Sequence, residues 1–165
     1  MREEGPIMKE DGRIVAFGNG LLVIRLVLGV VLFARGASIL FTWWTGLGMT
    51  DYADYLELQG LNFLIGSIYW AWLLGLVQFV GGILIIFGLM TRLSALVNAI
   101  VMVLVLVVVE WSAGFFIVTY GITSRGSTDF LGGIEYTLLI TGVCVGLFLT
   151  GAGRYSLDSG FGANK

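Results

Sequence analysis

Long apolar runs separated by short polar intervals dominate the chain. A helix needs about 20 mostly apolar residues to cross the hydrocarbon core of a bilayer. Four runs meet that length: 18–41, 70–90, 93–113 and 130–150. The third is rich in valine, with Val101, Val103, Val105, Val107, Val108 and Val109. In water such β-branched residues would suit a buried strand. The length of the run and its lack of polar alternation predict a membrane helix instead. The pattern predicts an all-α membrane protein, a four-transmembrane-helix bundle forming one domain over residues 1–165. The interval Thr42–Tyr69 is long, and its middle, from Tyr52 to Leu64, mixes acidic and bulky apolar residues. A short interfacial helix is predicted in this first outer loop.

Composition strengthens this reading. Charged residues make up 12% of the 165 positions, against about 25% in soluble domains. A surface so poor in charge requires lipid as its solvent. Glycine is abundant, at 25 residues, as suits close helix packing. A net charge of −2 without a basic stripe excludes nucleic-acid partners. One cysteine and no histidine exclude an internal disulfide, CxxC chemistry, and histidine ligation of haem, copper or zinc by this chain alone. No metal site is predicted. The polar start leads into a long first run that contains Arg25 and Arg35, which reads as a retained helix rather than a cleaved signal.

Lys9, Arg13 and Arg25 precede or open the first span, Arg92 sits between the second and third, and Arg154 and Lys165 follow the fourth. The outer intervals carry Asp51, Asp54 and Glu57, with Arg125 as their basic residue. Basic residues favour the cytoplasmic side. Both termini are therefore expected in the cytoplasm, with the chain in the inner membrane. Trp43, Trp44, Trp70, Trp72 and Trp111 cluster at the outer boundary, where amphipathic rings settle.

Ionisable or strongly polar groups within a span need a partner or a role. Arg35, Gln78, Glu110 and Glu135 all fall in the outer half. Gly75, Gln78 and Gly82 share a helical face, as do Gly132, Glu135, Gly142 and Gly146, so Gln78 and Glu135 are expected to point inward. Two compatible readings follow. Arg35 pairs with Glu135 or Glu110 and locks the fold, or the four groups line a pocket for a polar head group such as a quinone's. At the inner end Arg25, Arg92, Arg154 and Asp158 form a second cluster, expected to anchor the bundle and to pair Asp158 with an arginine. A phosphate or partner-docking role is the alternative there. Cys144 is expected to be an inert packing residue.

Several segments carry a resemblance to a family. These are Arg25–Gly36, Gly75–Ala95 with Gln78, Gly81, Gly82, Gly88, Thr91 and Arg92, Gly114-Phe115-Phe116, Gly132-Gly133-Ile134-Glu135-Tyr136, and the closing Gly151-Ala-Gly-Arg-Tyr-Ser-Leu-Asp158. In this order they resemble the DoxX/DoxD-like small four-helix membrane proteins, over about 130 residues. The resemblance implies association with thiosulfate:quinone oxidoreduction or with oxidative-stress complexes of bacterial membranes. Many relatives carry glutamate at the position of Gln78, lysine near Ile39 and histidine near Glu110, and each departure removes or swaps a titratable group.

Three functional readings stay open. The chain is the lipoquinone-binding membrane subunit of a redox complex, whose electron-carrying cofactor sits on a partner chain. Alternatively it is an accessory structural subunit of a larger respiratory or photosynthetic assembly, surrounded by membrane lipids and other subunits. A small transporter is disfavoured by the absence of an inverted repeat. No nucleophile–base set, phosphate loop or metal cluster supports catalysis by the chain alone.

Overall fold

Apolar runs in lipid fold as helices because a backbone amide without an internal partner costs several kcal/mol there. The computed structural model describes residues 6–45, 48–61, 66–111, 114–116, 134–153 and 156–158. Its regular elements are all helical: α1 (Pro6–Phe41), α2 (Gly48–Leu58), α3 (Ser67–Phe87), α4 (Thr91–Val105) and α5 (Ile134–Thr150). A π-helical turn, Leu106–Glu110, continues α4. Ala16–Phe41, Ser67–Phe87 and Thr91–Glu110 are long and apolar enough to cross a membrane. The shorter α5 is apolar too, with 17 described residues that span roughly 25 Å. The chain is an integral membrane helical bundle. Pro6 opens α1, where its missing N–H removes no helical bond.

Helix α3 runs back along α1, and glycines set how closely the two approach. A Cβ on Gly29 would stand 2.6 Å from Ile86 Cγ1, and one on Gly82 would stand 2.4 Å from the Phe33 amide nitrogen. One on Gly36 would stand 2.3 Å from the Phe79 amide nitrogen. Gly29 and Gly36 on α1, like Gly75 and Gly82 on α3, are seven residues apart, so successive glycines stay in one seam. The α5 glycines behave differently. Gly142 and Gly146 are exposed, and a Cβ on either would meet nothing within 4 Å. The expectation that this pair marks an internal contact is therefore corrected. The cause is the uniform apolarity of α5, which leaves glycine spacing without a polar face to fix the helix's rotation.

Two apolar clusters fill the bundle. Leu28, Leu32, Ile85, Ala99, Met102, Ile140, Cys144 and Leu147 pack together in one half. Ile39, Tyr52, Leu56, Ala71, Leu74, Val105 and Val109 pack in the other. The second cluster depends on α2, which packs on α3 and α1. Its Tyr52, Ala53 and Leu56 are buried while Asp51, Asp54 and Glu57 are outside or at the rim. A helix does form in the first loop, but it is built into the core rather than merely resting at an interface. The reversal into it runs through Thr42 and Trp44, both with positive φ (58° and 53°). Asn62, Phe63 and Leu64, the end of the segment predicted to be interfacial, lie outside the described residues.

The turn between α3 and α4 also differs from the sequence expectation. It occupies Gly88–Met90, and Thr91 and Arg92 already belong to α4. Gly88, at φ 69°, caps α3, and the amides of Gly88 and Leu89 return to the carbonyls of Ile85 and Leu84 at 3.2 and 2.9 Å. Replacing Gly82 with alanine is expected to destabilise the folded protein by about 1–3 kcal/mol through overpacking against α1. Gly146→Ala should leave stability within about 0.5 kcal/mol of the parent. Denaturation in mild detergent checks both, and equal effects would contradict the packing described.

Candidate functional site

Between the two apolar clusters the bundle carries a polar layer. On α1, Arg35 follows Leu32 and precedes Ile39, which belong to opposite clusters. On α3, Gln78 lies between Leu74 and Ile85 in the same way. The Arg35 guanidinium hydrogen-bonds to Tyr52 of α2 and Tyr136 of α5. Its central carbon also sits 5.2 Å from the Tyr136 ring centroid, within cation–π range. Glu110 lies within electrostatic reach of Arg35, Tyr52 and Tyr55.

Glu110 reaches this layer because of the π turn. At about 100° per residue it would stand roughly 140° around an α-helix from the buried Val105. The wider i→i+5 turn takes up an extra residue and leaves both Val109 and Glu110 buried, Glu110 at 5% exposure. Burial drives the Tyr52 phenol above its ordinary pKa, Glu110 adds to that rise, and Arg35 opposes it. Tyr55 shifts in the same direction from burial and then from Glu110. Both phenols therefore stay protonated at neutral pH and can donate hydrogen bonds.

Several buried polar atoms in the interior have no hydrogen-bond partner within the chain. Gln78 is 0% exposed with neither Oε1 nor Nε2 paired, and Thr137 Oγ1 and Glu110 Oε2 are likewise unpaired. Each such group costs about 1–3 kcal/mol unless something binds it. The interior thus offers an amide, a hydroxyl and a carboxylate oxygen without partners, the last within electrostatic reach of Arg35.

Of the four residues singled out in the outer half, Arg35 and Glu110 share an electrostatic neighbourhood and Gln78 occupies the same layer between the clusters. Glu135 lies in the first turn of α5. Its amide donates to the Phe115 carbonyl at 3.0 Å, and its half-buried side chain borders an open groove with Phe115, Leu138, Leu139, Gly142 and Val143. Tyr52, Tyr55, Tyr136 and Thr137 are the members that sequence reasoning missed. Tyr136 adjoins Glu135 in the motif that carries the resemblance, and Tyr52 is one turn before the buried Leu56, a periodicity that could have placed it inside. Ile39 packs in the apolar cluster beside α2, and Cys144 is buried in the other.

The other end is tied together by the chain's closing segment. Arg25, 3% exposed, donates from Nη1 to the Ala152 carbonyl at 2.8 Å. It is therefore held inside the bundle, not spread among head groups as an anchoring residue would be. Asp158 accepts from the amides of Met90 and Thr91 at 2.8 and 3.0 Å, and its own amide donates to the Gly88 carbonyl at 3.0 Å. Its carboxylate thereby caps α4, with Arg25 attracting it electrostatically. Arg92 is exposed, and Arg154 lies outside the described residues.

Comparison with known proteins agrees with this architecture. The DoxX family model matches residues 20–111, more than half of the chain. A Bacillus subtilis protein named "Putative oxidoreductase CatD" is 25% identical over 147 residues, covering 87% of each chain. No solved structure matches.

An alkaline titration followed by phenolate absorbance tests the polar layer. The component lost in Tyr52→Phe is expected to ionise above the ordinary tyrosine value of about 10. A component that titrates at or below that value would show Tyr52 to be solvated. Asp158→Ala is expected to destabilise the fold by about 1–3 kcal/mol by uncapping α4. Unchanged thermal unfolding would contradict the latch.

Proposed function

The chain belongs to the DoxX family, and from that premise we propose that it is the membrane subunit of a redox complex and binds a quinone head group in the Arg35 layer. The observation that carries the proposal is the set of unpaired buried atoms on Gln78, Thr137 and Glu110, in a bundle whose Arg35 guanidinium interacts with Tyr52, Tyr136 and Glu110. A quinone presents two carbonyl acceptors on a flat apolar ring. The Gln78 amide, the Thr137 hydroxyl and the phenols of Tyr52 and Tyr136 supply matching donors. Electrons come from a partner subunit. The name of the Bacillus subtilis relative supports an oxidoreductase setting.

Access to this layer runs past α2. The grooves at Arg92, between α3 and α4, and along α5 do not include Arg35, Gln78 or Glu110, and α2 covers the layer with Tyr52. The ligand enters by displacing α2. A second reading, a structural subunit without chemistry, is favoured by the same closure and by the satisfied state of Arg35. The orientation with both termini in the cytoplasm and a place in the inner membrane belong to the proposal as well, supported by Arg92 at one end and the exposed Trp43, Trp44 and Trp111.

Gln78→Leu separates the two functional readings. Replacing an unpaired buried amide with an apolar group is neutral or stabilising for the fold. For binding of a short-chain benzoquinone followed by tryptophan quenching, the expected loss is about five- to tenfold, one neutral hydrogen bond. Saturable parental binding that survives the substitution unchanged would remove Gln78 from the site. No saturable binding by the parent would favour the structural subunit.

A further inference from the structure

At the end of the bundle tied by Asp158, a groove of about 520 Å³ opens between the start of α4, the end of α5 and the closing segment. Met90, Arg92, Leu93, Thr150, Gly151 and Asp158 form most of its wall. The Arg92 side chain lies over Gly151, where a Cβ would stand 3.0 Å from Nε. Gly151 has φ 81°, so its missing side chain serves both the turn and the space beneath the guanidinium. Among the described residues Arg92 has neither an ion-pair nor a hydrogen-bond partner.

The groove's acid is engaged elsewhere. Both Asp158 carboxylate oxygens are taken by the Met90 and Thr91 amides, and Arg25 lies behind them. Arg25 and the two amides thus engage the carboxylate, and the Arg92 guanidinium brings positive charge to the groove wall. Asp158 occupies the Met90 and Thr91 amides at the start of α4, and the charged anion-attracting group on the groove wall is the Arg92 fork. Its surroundings are apolar as well as basic: Met90, Leu93, Leu149 and Leu157 are all exposed. A free anion gains nothing from those side chains, whereas the acyl chains of a lipid cover them.

We propose that the Arg92 groove is a binding site for an anionic phospholipid, with the phosphate on the Arg92 guanidinium and the acyl chains against Leu93 and Leu149. Planar guanidinium favours bidentate contact with phosphate oxygens. The site is independent of the quinone proposal, because it shares no residue with the Arg35 layer.

Native mass spectrometry of the full chain in mild detergent tests it, with phosphatidylglycerol and phosphatidylcholine of the same acyl chains as probes. The parent is expected to retain phosphatidylglycerol preferentially. Arg92→Gln should reduce that retention about fivefold, the weight of one basic residue at an anionic lipid surface. Arg92→Lys, which keeps the charge without the fork, should fall between them. Excess inorganic phosphate should not displace the lipid. Equal retention of both lipids by the parent, or unchanged phosphatidylglycerol retention in folded Arg92→Gln, would overturn the proposal. Displacement by inorganic phosphate would overturn the assignment to lipid and point to a free anion. Should Arg92→Gln fail to fold, the Arg92→Lys comparison decides alone, and retention equal to the parent's would count against the fork.

Discussion

A guanidinium inside a membrane span must be satisfied within the protein, and much of the observed arrangement around Arg35 answers that requirement. The charge falls on α1 between two apolar clusters, where hydrocarbon would be intolerable without partners. Three separate elements converge on it. The short helix α2 folds inward and delivers Tyr52, the first turn of α5 delivers Tyr136, and the π turn after α4 brings Glu110 to the buried side. None of these is needed for four apolar helices to associate. The loop helix in particular gives up the exposed position its three acidic residues would suit, and keeps only their face in contact with solvent.

That convergence explains why the polar layer has spare capacity. Two tyrosines and a nearby carboxylate satisfy the guanidinium, yet Gln78, Thr137 and Glu110 each keep buried atoms without a partner. A purely structural neutralisation of Arg35 would not require Gln78 at all, since leucine would pack there at no desolvation cost. Unused donors and acceptors beside a held charge are what a ligand with opposing carbonyl groups can exploit. At the end tied by the closing segment, Asp158 accepts from the Met90 and Thr91 amides and Arg25 donates to Ala152, bonds that fix the turn after α3 although Arg25 Nε and Thr91 Oγ1 are buried without a partner.

The helices themselves were legible in the sequence because uninterrupted aliphatic length alone decides between lipid and water. Their boundaries were legible to within a few residues, except where the cap is supplied from afar: Asp158, 67 positions beyond Thr91, moves the start of α4 ahead of Arg92. Arg35, Gln78 and Glu110 were legible as exceptions in an apolar background. What surrounds them was not. Tyr52 sits in a loop whose acidic residues imply exposure, and the phase of Glu110 depends on a π turn that valine-rich sequence does not signal. Rotation about α5 was misread for a related reason. With apolar residues on every side, the Gly142 and Gly146 pair suggested an internal face, whereas the contacts fixed by Thr137, Ile140, Cys144 and Leu147 turn those glycines outward.

The central claim, that the layer around Arg35 receives a ligand beneath α2, is tested most directly by photolabelling the membrane-embedded chain with an azidoquinone and locating the adduct by peptide mass spectrometry. The account requires label on the α2 segment around Tyr52 and Tyr55 and on the first turn of α5 at Tyr136 and Thr137, suppressed by excess unlabelled quinone. Label confined to the outward face of α5, at Leu138, Leu139 and Leu149, and insensitive to competition, would contradict it.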